Sequence, residues 1–330
     1  MQGKVMSEQC ATLDVNVGID VCKDWLDIHI LPANTVLRVA NNKKGHGQLL
    51  AALRGLSVRL IAMEATGKYH RSIHHRLHEA GFATAVVNPL RARLYAESIG
   101  LLAKTDTVDA YALALMCAAP NMAAVAPLSQ TIENLREIVR ARDAAVAAKT
   151  ALENQLGTAT VACVKTQIKR QIAITQRAAD ALAAEAVQAI KADAALARRF
   201  EILTSLPGVA TITALGLIVN MPELGHLDAK AAGMLAGLAP VACQSGQRIG
   251  PSHIRGGRPA VRTGIYMAAH SAARHNPHLK TFYDRLLKAG KEKKVALTAV
   301  MRKLIVLANT LLKDDRLWSP HPPIACPLSP

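Results

Sequence analysis

Apolar and polar residues alternate near the start of the chain. Val15, Val17, Ile19 and Val21 are set against Asn16, Gly18 and Asp20, the period of a strand with one buried face. Lys23-Asp24 can turn the chain into a second strand over 25–30, and 36–39 reads as a third. The pattern then switches back and forth. It predicts a helix over 46–56, a strand over 58–63 ending at Glu64, a helix over 69–80 and a short strand over 83–87 closed by Asn88-Pro89. Helices follow from Arg91 and over 106–118. Three strands in a row and then alternating helices and strands is the order of a ribonuclease-H-like sheet, although alternation alone fits other α/β folds.

From 128 to 199 the chain is Ala-rich and almost free of Gly and Pro. Leu128, Ile132, Leu135 and Val139 are spaced four, three, four. After a break near Gly157, Ile168, Ile172, Ala179, Leu182 and Ala186 resume a heptad-like seam. Two long helices are predicted, paired with each other or with another subunit as an imperfect coiled coil that Arg142 and Lys149 interrupt. Beyond it, Leu206-Pro-Gly-Val-Ala210 reads either as a helix-hairpin-helix turn able to grip a phosphate or as a plain helix–helix turn. Helices are expected over 212–219, 265–274, 277–289 and 295–312, the last a core helix with Arg302 and Lys303 outward. The Pro-rich end, 319–330, is expected to be extended. The fold class is thus α/β followed by all-α.

Composition narrows the partners. The 51% hydrophobic content fills real cores, which excludes wholesale disorder. No apolar run reads as long enough to span a bilayer and residues 1–11 lack signal-peptide order, so a soluble, cytoplasmic protein without a membrane partner is expected. The net charge of +16 calls for a polyanion. It is concentrated: residues 245–313 hold fourteen Lys or Arg against two acids, Asp284 and Glu292. With only 3% aromatics, duplex recognition through phosphates fits better than base stacking. Six scattered cysteines, with no C-x-x-C pair, read as reduced thiols.

Candidate chemistry sits at two places. Asp20 ends the first strand, Glu64 ends the fourth, and Asp106 and Asp109 lie three apart on one helix face. Carboxylate oxygens at these positions suit a hard divalent cation, and Mg²⁺ and Mn²⁺ both accept an all-oxygen site. The strand phase puts Asp20 off the apolar face. Each acid alone also reads structurally: Asp20 as a turn residue, Glu64 as a cap for the following helix, Asp106 as an N-cap. His70, His74 and His78, with His75 beside them, recur at helical spacing. They read as a polar outer face, and no metal is assigned to them. The second place is Leu238-Ala-Pro-Val-Ala-Cys-Gln-Ser245-Gly246, followed by Arg248, Arg255, Arg258 and Arg262. A small nucleophile on flexible backbone with cations behind it suits attack on a phosphodiester; a Gly/Ser loop with a solvated basic flank is the bland alternative.

Gly18-Ile-Asp20, Met63-Glu-Ala-Thr-Gly67, Asn88-Pro89, Lys104-Thr-Asp106-Thr-Val-Asp109-Ala, Leu206-Pro-Gly-Val and Gly237-Leu-Ala-Pro240 through Gln244-Ser-Gly246 occur in this order across residues 12–313. In this combination the chain resembles the DEDD-type transposases of bacterial insertion sequences, the group related to the Piv DNA invertases. The resemblance implies a RuvC-like domain (12–125), a coiled-coil spacer (126–200), a C-terminal transposase domain (201–313) and a tail (314–330). It implies that Asp20, Glu64, Asp106 and Asp109 bind metal, and that Ser245 attacks DNA to form a phosphoserine link. It further implies double-stranded DNA at the element's ends and target, a guide RNA encoded by the element, and a homodimer or homotetramer. It gives no role to Arg248, Arg255 or Arg258. The alternatives are a metal-dependent hydrolytic junction nuclease with a structural serine, and a nucleic-acid-binding protein without catalysis.

Overall fold

The computed structural model describes residues 14–103, 105–119, 122–245 and 248–320, apart from the side chains at 248, 249 and 251. Two units separate at Leu128/Ser129.

In the first unit, β1 (Val15–Val21), β2 (Trp25–Leu31) and β3 (Thr35–Ala40) form an antiparallel meander. Helix α1 (Lys43–Leu53) leads to β4 (Val58–Glu64), and α2 (His70–Glu79) leads to β5 (Thr84–Val87). Both later strands run parallel to β1, giving the order β3-β2-β1-β4-β5. Helices α3 (Pro89–Ser98) and α4 (Asp106–Met116) follow. Local chemistry sets the boundaries. Asn42 accepts from the amides of Lys44 and Gly45 at 3.0 Å each, so α1 begins before the predicted start and ends before Gly55. Asn88 caps α3 with Pro89 in its first turn. Thr105, not Asp106, caps α4, its Oγ1 accepting from Val108 N at 3.3 Å.

Both faces of the sheet are covered. Val17, Ile19 and Val21 pack with Ile28, Leu49, Leu53, Ile73 and Leu77 under α1 and α2. On the other face Leu60, Ala62, Ala85 and Val87 meet Ala92, Leu113, Met116 and Cys117 of α3, α4 and the residue that ends it. Asp20 therefore lies on a covered face, not an open one: α4 rides on the β1 backbone at Gly18, where a Cβ would stand 2.0 Å from Ala110 O and 2.4 Å from Ala114 N. The histidine face is corrected too. His74 is buried with Nε2 2.9 Å from Val125 O. Burial, with His74 and Arg71 nearby, brings His70 down to about 4. Only His78 of the repeating set is exposed.

The second unit opens with α5 (Gln130–Thr158) and α6 (Ala162–Lys191), an antiparallel hairpin that runs through Gly157 and turns at 159–161. Ile132, Leu135 and Val139 on α5 and Ile168, Ala179, Ala186 and Ile190 on α6 are buried. Helices α7 (Ala194–Ser205), α8 (Thr211–Asn220) and α9 (Ala229–Leu235) come next. Arg136 of α5 donates to Val219 O at 2.9 Å, tying the hairpin to the last turn of α8. A two-stranded ribbon then intervenes, β6 (Pro240–Ser245) and β7 (Arg248–Ile254), before α10 (Pro259–His275), α11 (Pro277–Lys288) and α12 (Lys293–Lys313). The turn at 206–210 sets Gly208 against Ala268 and Ala272 of α10, so that side of the turn packs on protein and is not open to a phosphate. By length and composition α12 could cross a membrane. It lies instead among α7, α9, α10 and α11, burying Leu297, Val300, Leu304, Ile305 and Leu311, the face a core helix presents. Cys22, Cys117, Cys163 and Cys243 are free thiols; Cys10, Cys326 and the tail at 321–330 lie outside the described residues.

Candidate functional site

The close approach at Gly18 has a chemical result. It seats the first turn of α4, carrying Asp106 and Asp109, over the end of β1, while β4 runs parallel to β1 and brings Glu64 to the same edge. Asp20, Glu64, Asp106 and Asp109 all line one cleft of about 450 Å³, with Cys22, Thr66, Pro89, Ala92 and Arg93. The ends of two strands and one helix face thus meet at this cleft.

The electrostatics are those of crowded carboxylates. Asp20 is raised to about 6, first by burial and then by Glu64, Asp106 and Asp109. A divalent cation would offset that repulsion, and four carboxylates are the donor set a hard cation prefers; the chemistry of the residues fits one. The centre is not closed, however. Among the described residues no three Asp, Glu, His or Cys side chains converge as a formed metal centre. Asp106, its side chain 64% exposed, is engaged by a cation of the protein: Arg38 Nη2 lies 3.1 Å from its Oδ2. Arg93, also in the cleft wall, donates Nε to Glu97 Oε1 at 2.7 Å and Nη2 to Leu102 O at 3.2 Å.

Ser245 lies in the second unit, as the last residue of β6 and directly opposite Arg248 of β7. In place of the expected loop stand two paired antiparallel strands; Gly246 and Gln247 between them lie outside the described residues. All six residues of β6 are exposed. A two-stranded ribbon has little stability of its own, and this one is fixed at its base. Gly237 and Gly257, both with positive φ, bring the two chain ends together so closely that a Cβ on Gly257 would stand 2.1 Å from Gly237 N. Arg262 Nη1 spans the same point, donating to Gly256 O at 3.0 Å and Gly237 O at 3.3 Å.

Arg258 is structural. Its fork grips Glu223 at 2.6 Å and 2.7 Å, and Nη1 also donates to Asn220 O at 2.6 Å. Burial pushes the Glu223 carboxyl up, but the hydrogen bonds and charge of Arg258 outweigh it and hold the group below its ordinary value. Arg255 is exposed. Sequence reasoning missed Arg38 and Arg93. Nothing in the local pattern marks them, and Arg38 is found only once the strand register is known.

Residues 17–161 match the DEDD-type transposase family of IS110, and residues 200–284 match the transposase IS116/IS110/IS902 family. The four acids fall in the first span and Ser245 in the second. Over 315 residues the chain is 28% identical to the pilin gene-inverting protein of Moraxella bovis, covering 91% of this chain and 96% of that protein. The pilin gene-inverting protein of Moraxella lacunata matches to the same extent, at 28%. A 43.6 kDa protein of insertion element IS110 from Streptomyces coelicolor is 30% identical over 135 residues, 39% of this chain and 32% of that one. With both of its characteristic regions present, the chain belongs to the IS110/IS116 family of transposases and DNA-inverting recombinases, enzymes that cut and rejoin DNA.

Proposed function

We propose that this recombinase moves its own insertion element, cutting and rejoining double-stranded DNA through a phosphoserine intermediate at Ser245. The observation that carries the reading is the single cleft holding Asp20, Glu64, Asp106 and Asp109. The mixed sheet, with these acids at the ends of β1 and β4 and on α4, supports a ribonuclease-H-like assignment for residues 12–125. A divalent cation, Mg²⁺ or Mn²⁺, held by the four acids would supply Lewis acidity at a phosphate oxygen.

Ser245 supplies the nucleophile. Its hydroxyl gives up a proton, its oxygen bonds to phosphorus, and the bond from phosphorus to the leaving sugar oxygen breaks as that oxygen takes up a proton. The resulting ester keeps the free energy of the phosphodiester, and the reverse attack by a sugar hydroxyl rejoins the strand. An alcohol is a weak nucleophile at neutral pH, so a nearby base must take its proton as it attacks. The exposed strand β6, ending at Ser245 on a basic segment, suits entry of a duplex, since a two-stranded ribbon fits the major groove. The charge of 245–313 supports a nucleic-acid face. A guide RNA from the element and assembly into a homodimer or homotetramer, with α5 and α6 as a coiled coil, complete the proposal, because strand exchange needs several sites acting together. The full-length likeness to gene-inverting proteins extends it to inversion as a related outcome.

Asp106→Ala tests the carboxylate half. It should abolish DNA cleavage in Mg²⁺ while leaving duplex binding, measured by gel shift at fixed salt, within a few-fold of wild type. Cleavage at the wild-type rate would refute it.

A further inference from the structure

The sheet register sets three charged residues in a row across neighbouring strands. Asp20 of β1 stands opposite Asp27 of β2, and Asp27 stands opposite Arg38 of β3. Asp27 is 5% exposed, and a carboxylate so placed needs a partner. Arg38 gives it both arms of its fork, Nε to Oδ1 at 2.7 Å and Nη2 to Oδ2 at 3.0 Å. The same Nη2 reaches Asp106 Oδ2 on α4 at 3.1 Å. An arginine 53% exposed would ordinarily sample many rotamers; the buried carboxylate fixes this one. A fifth acid, outside the cleft lining, thus anchors a cation on one of the four acids inside it.

We propose that Arg38, anchored by Asp27, is a positioning residue that holds Asp106 while no divalent cation is bound and competes with that cation for Asp106 Oδ2. The proposal rests on the carboxylate-centre reading above. The guanidinium occupies an oxygen that a metal would use, and its charge opposes a second positive charge nearby. Its tie to Asp27 limits that competition, because one nitrogen is shared between two carboxylates. Cation entry at the cleft then releases Asp106 from Arg38 without unfastening Arg38 from β2. The wild-type affinity is in this way held below what the four acids alone would give, so the centre closes only when cation is plentiful or when bound phosphate adds ligands.

The two ends of the strut should act with opposite sign. A unit charge several ångströms from a divalent ion in a water-like dielectric changes affinity by roughly tenfold. Arg38→Gln should therefore tighten Mn²⁺ binding by about that factor. Arg38→Lys, which keeps the charge, should stay near wild type. Asp27→Asn removes a negative charge and frees the whole fork for Asp106, so binding should weaken several-fold. In the double variant the Asp27→Asn effect should shrink, since part of it runs through Arg38.

The test is Mn²⁺ titration of the full-length protein, stripped of divalent ions, by calorimetry and by the loss of the free-ion paramagnetic resonance signal, with thermal melting of each variant alongside. Tighter binding in Arg38→Gln, with Arg38→Lys near wild type, supports the proposal. Unchanged or weaker binding in a normally melting Arg38→Gln overturns it while leaving the carboxylate centre standing. Wild-type protein that binds no Mn²⁺ removes both. If Asp27→Asn does not fold, the contrast between Gln and Lys at position 38 decides alone.

Discussion

Gly18→Ala is the smallest change that reaches the centre without touching an acid. The added methyl would sit 2.0 Å from Ala110 O and 2.4 Å from Ala114 N, against ordinary contacts of 3.4 Å or more. Both obstructing atoms are backbone, so no side chain can swing aside and α4 must retreat from β1 by more than an ångström. Overpacking of this kind costs about 1–3 kcal/mol. For a unit of this size that is a fall in Tm of about 4–12 °C. The displacement also carries Asp106 and Asp109 outward, so DNA cleavage should fall by more than the loss of folded protein explains. Gly47→Ala is the control, because nothing lies within 4 Å of its new Cβ on α1; it should stabilise by up to about 1 kcal/mol. The assay is differential scanning calorimetry of the full-length protein, with cleavage measured well below the transition. A Gly18→Ala protein melting within about 1 °C of wild type and cleaving normally would refute the claim that α4 is seated by contact at Gly18.

Two further outcomes come from charge. The Asp20 carboxyl titrates near 6 in the folded protein, above its ordinary value. The native state therefore holds a proton that the unfolded chain has lost, and metal-free stability should fall as pH rises from about 4 to 6. After allowance for solvent screening the drop is on the order of 1 kcal/mol. Asp20→Asn should flatten that slope in chemical denaturation across the same range; an unchanged slope contradicts the assignment. Arg258→Ala should destabilise the second unit by about 1–2 kcal/mol at pH 7. Because Glu223 is held below its ordinary value, this difference from wild type should narrow as pH falls through the folded carboxyl's range. A loss of DNA binding with no loss of stability would give Arg258 the phosphate role that its pairing with Glu223 argues against.

Much of the first unit is legible in the sequence because its signals are local. Alternation at 15–21 marks β1, Asn88-Pro89 caps and starts α3, and the spacing of Asp106 and Asp109 places both on one side of α4. What escapes is whatever depends on a second element. The open face inferred for Asp20 is covered because Gly18 admits α4, a contact ninety-odd residues away in sequence. His74 turns in, with Val125 O returning to receive it. Arg38 is an ordinary polar strand residue until register sets it beside Asp27. The Ser245 segment reads as a loop because Gly, Ser and Pro break the strand pattern. The hairpin forms through pairing of β6 with β7 and the Gly237–Gly257 approach, neither of which a single-strand pattern reveals. The long helices at 130–191 are plain in the sequence, but whether they pair within one chain needed the fold.

Attack by Ser245 would leave the protein covalently linked to DNA. Purified protein with any co-purifying RNA, Mg²⁺ and labelled duplex carrying the element's junction would be incubated, denatured and run on a gel. A nucleophilic Ser245 should give a shifted band that survives denaturant, disappears on protease treatment, and is absent with Ser245→Ala. Cleaved DNA without an adduct, produced equally by Ser245→Ala, would contradict it and leave a hydrolytic nuclease in its place.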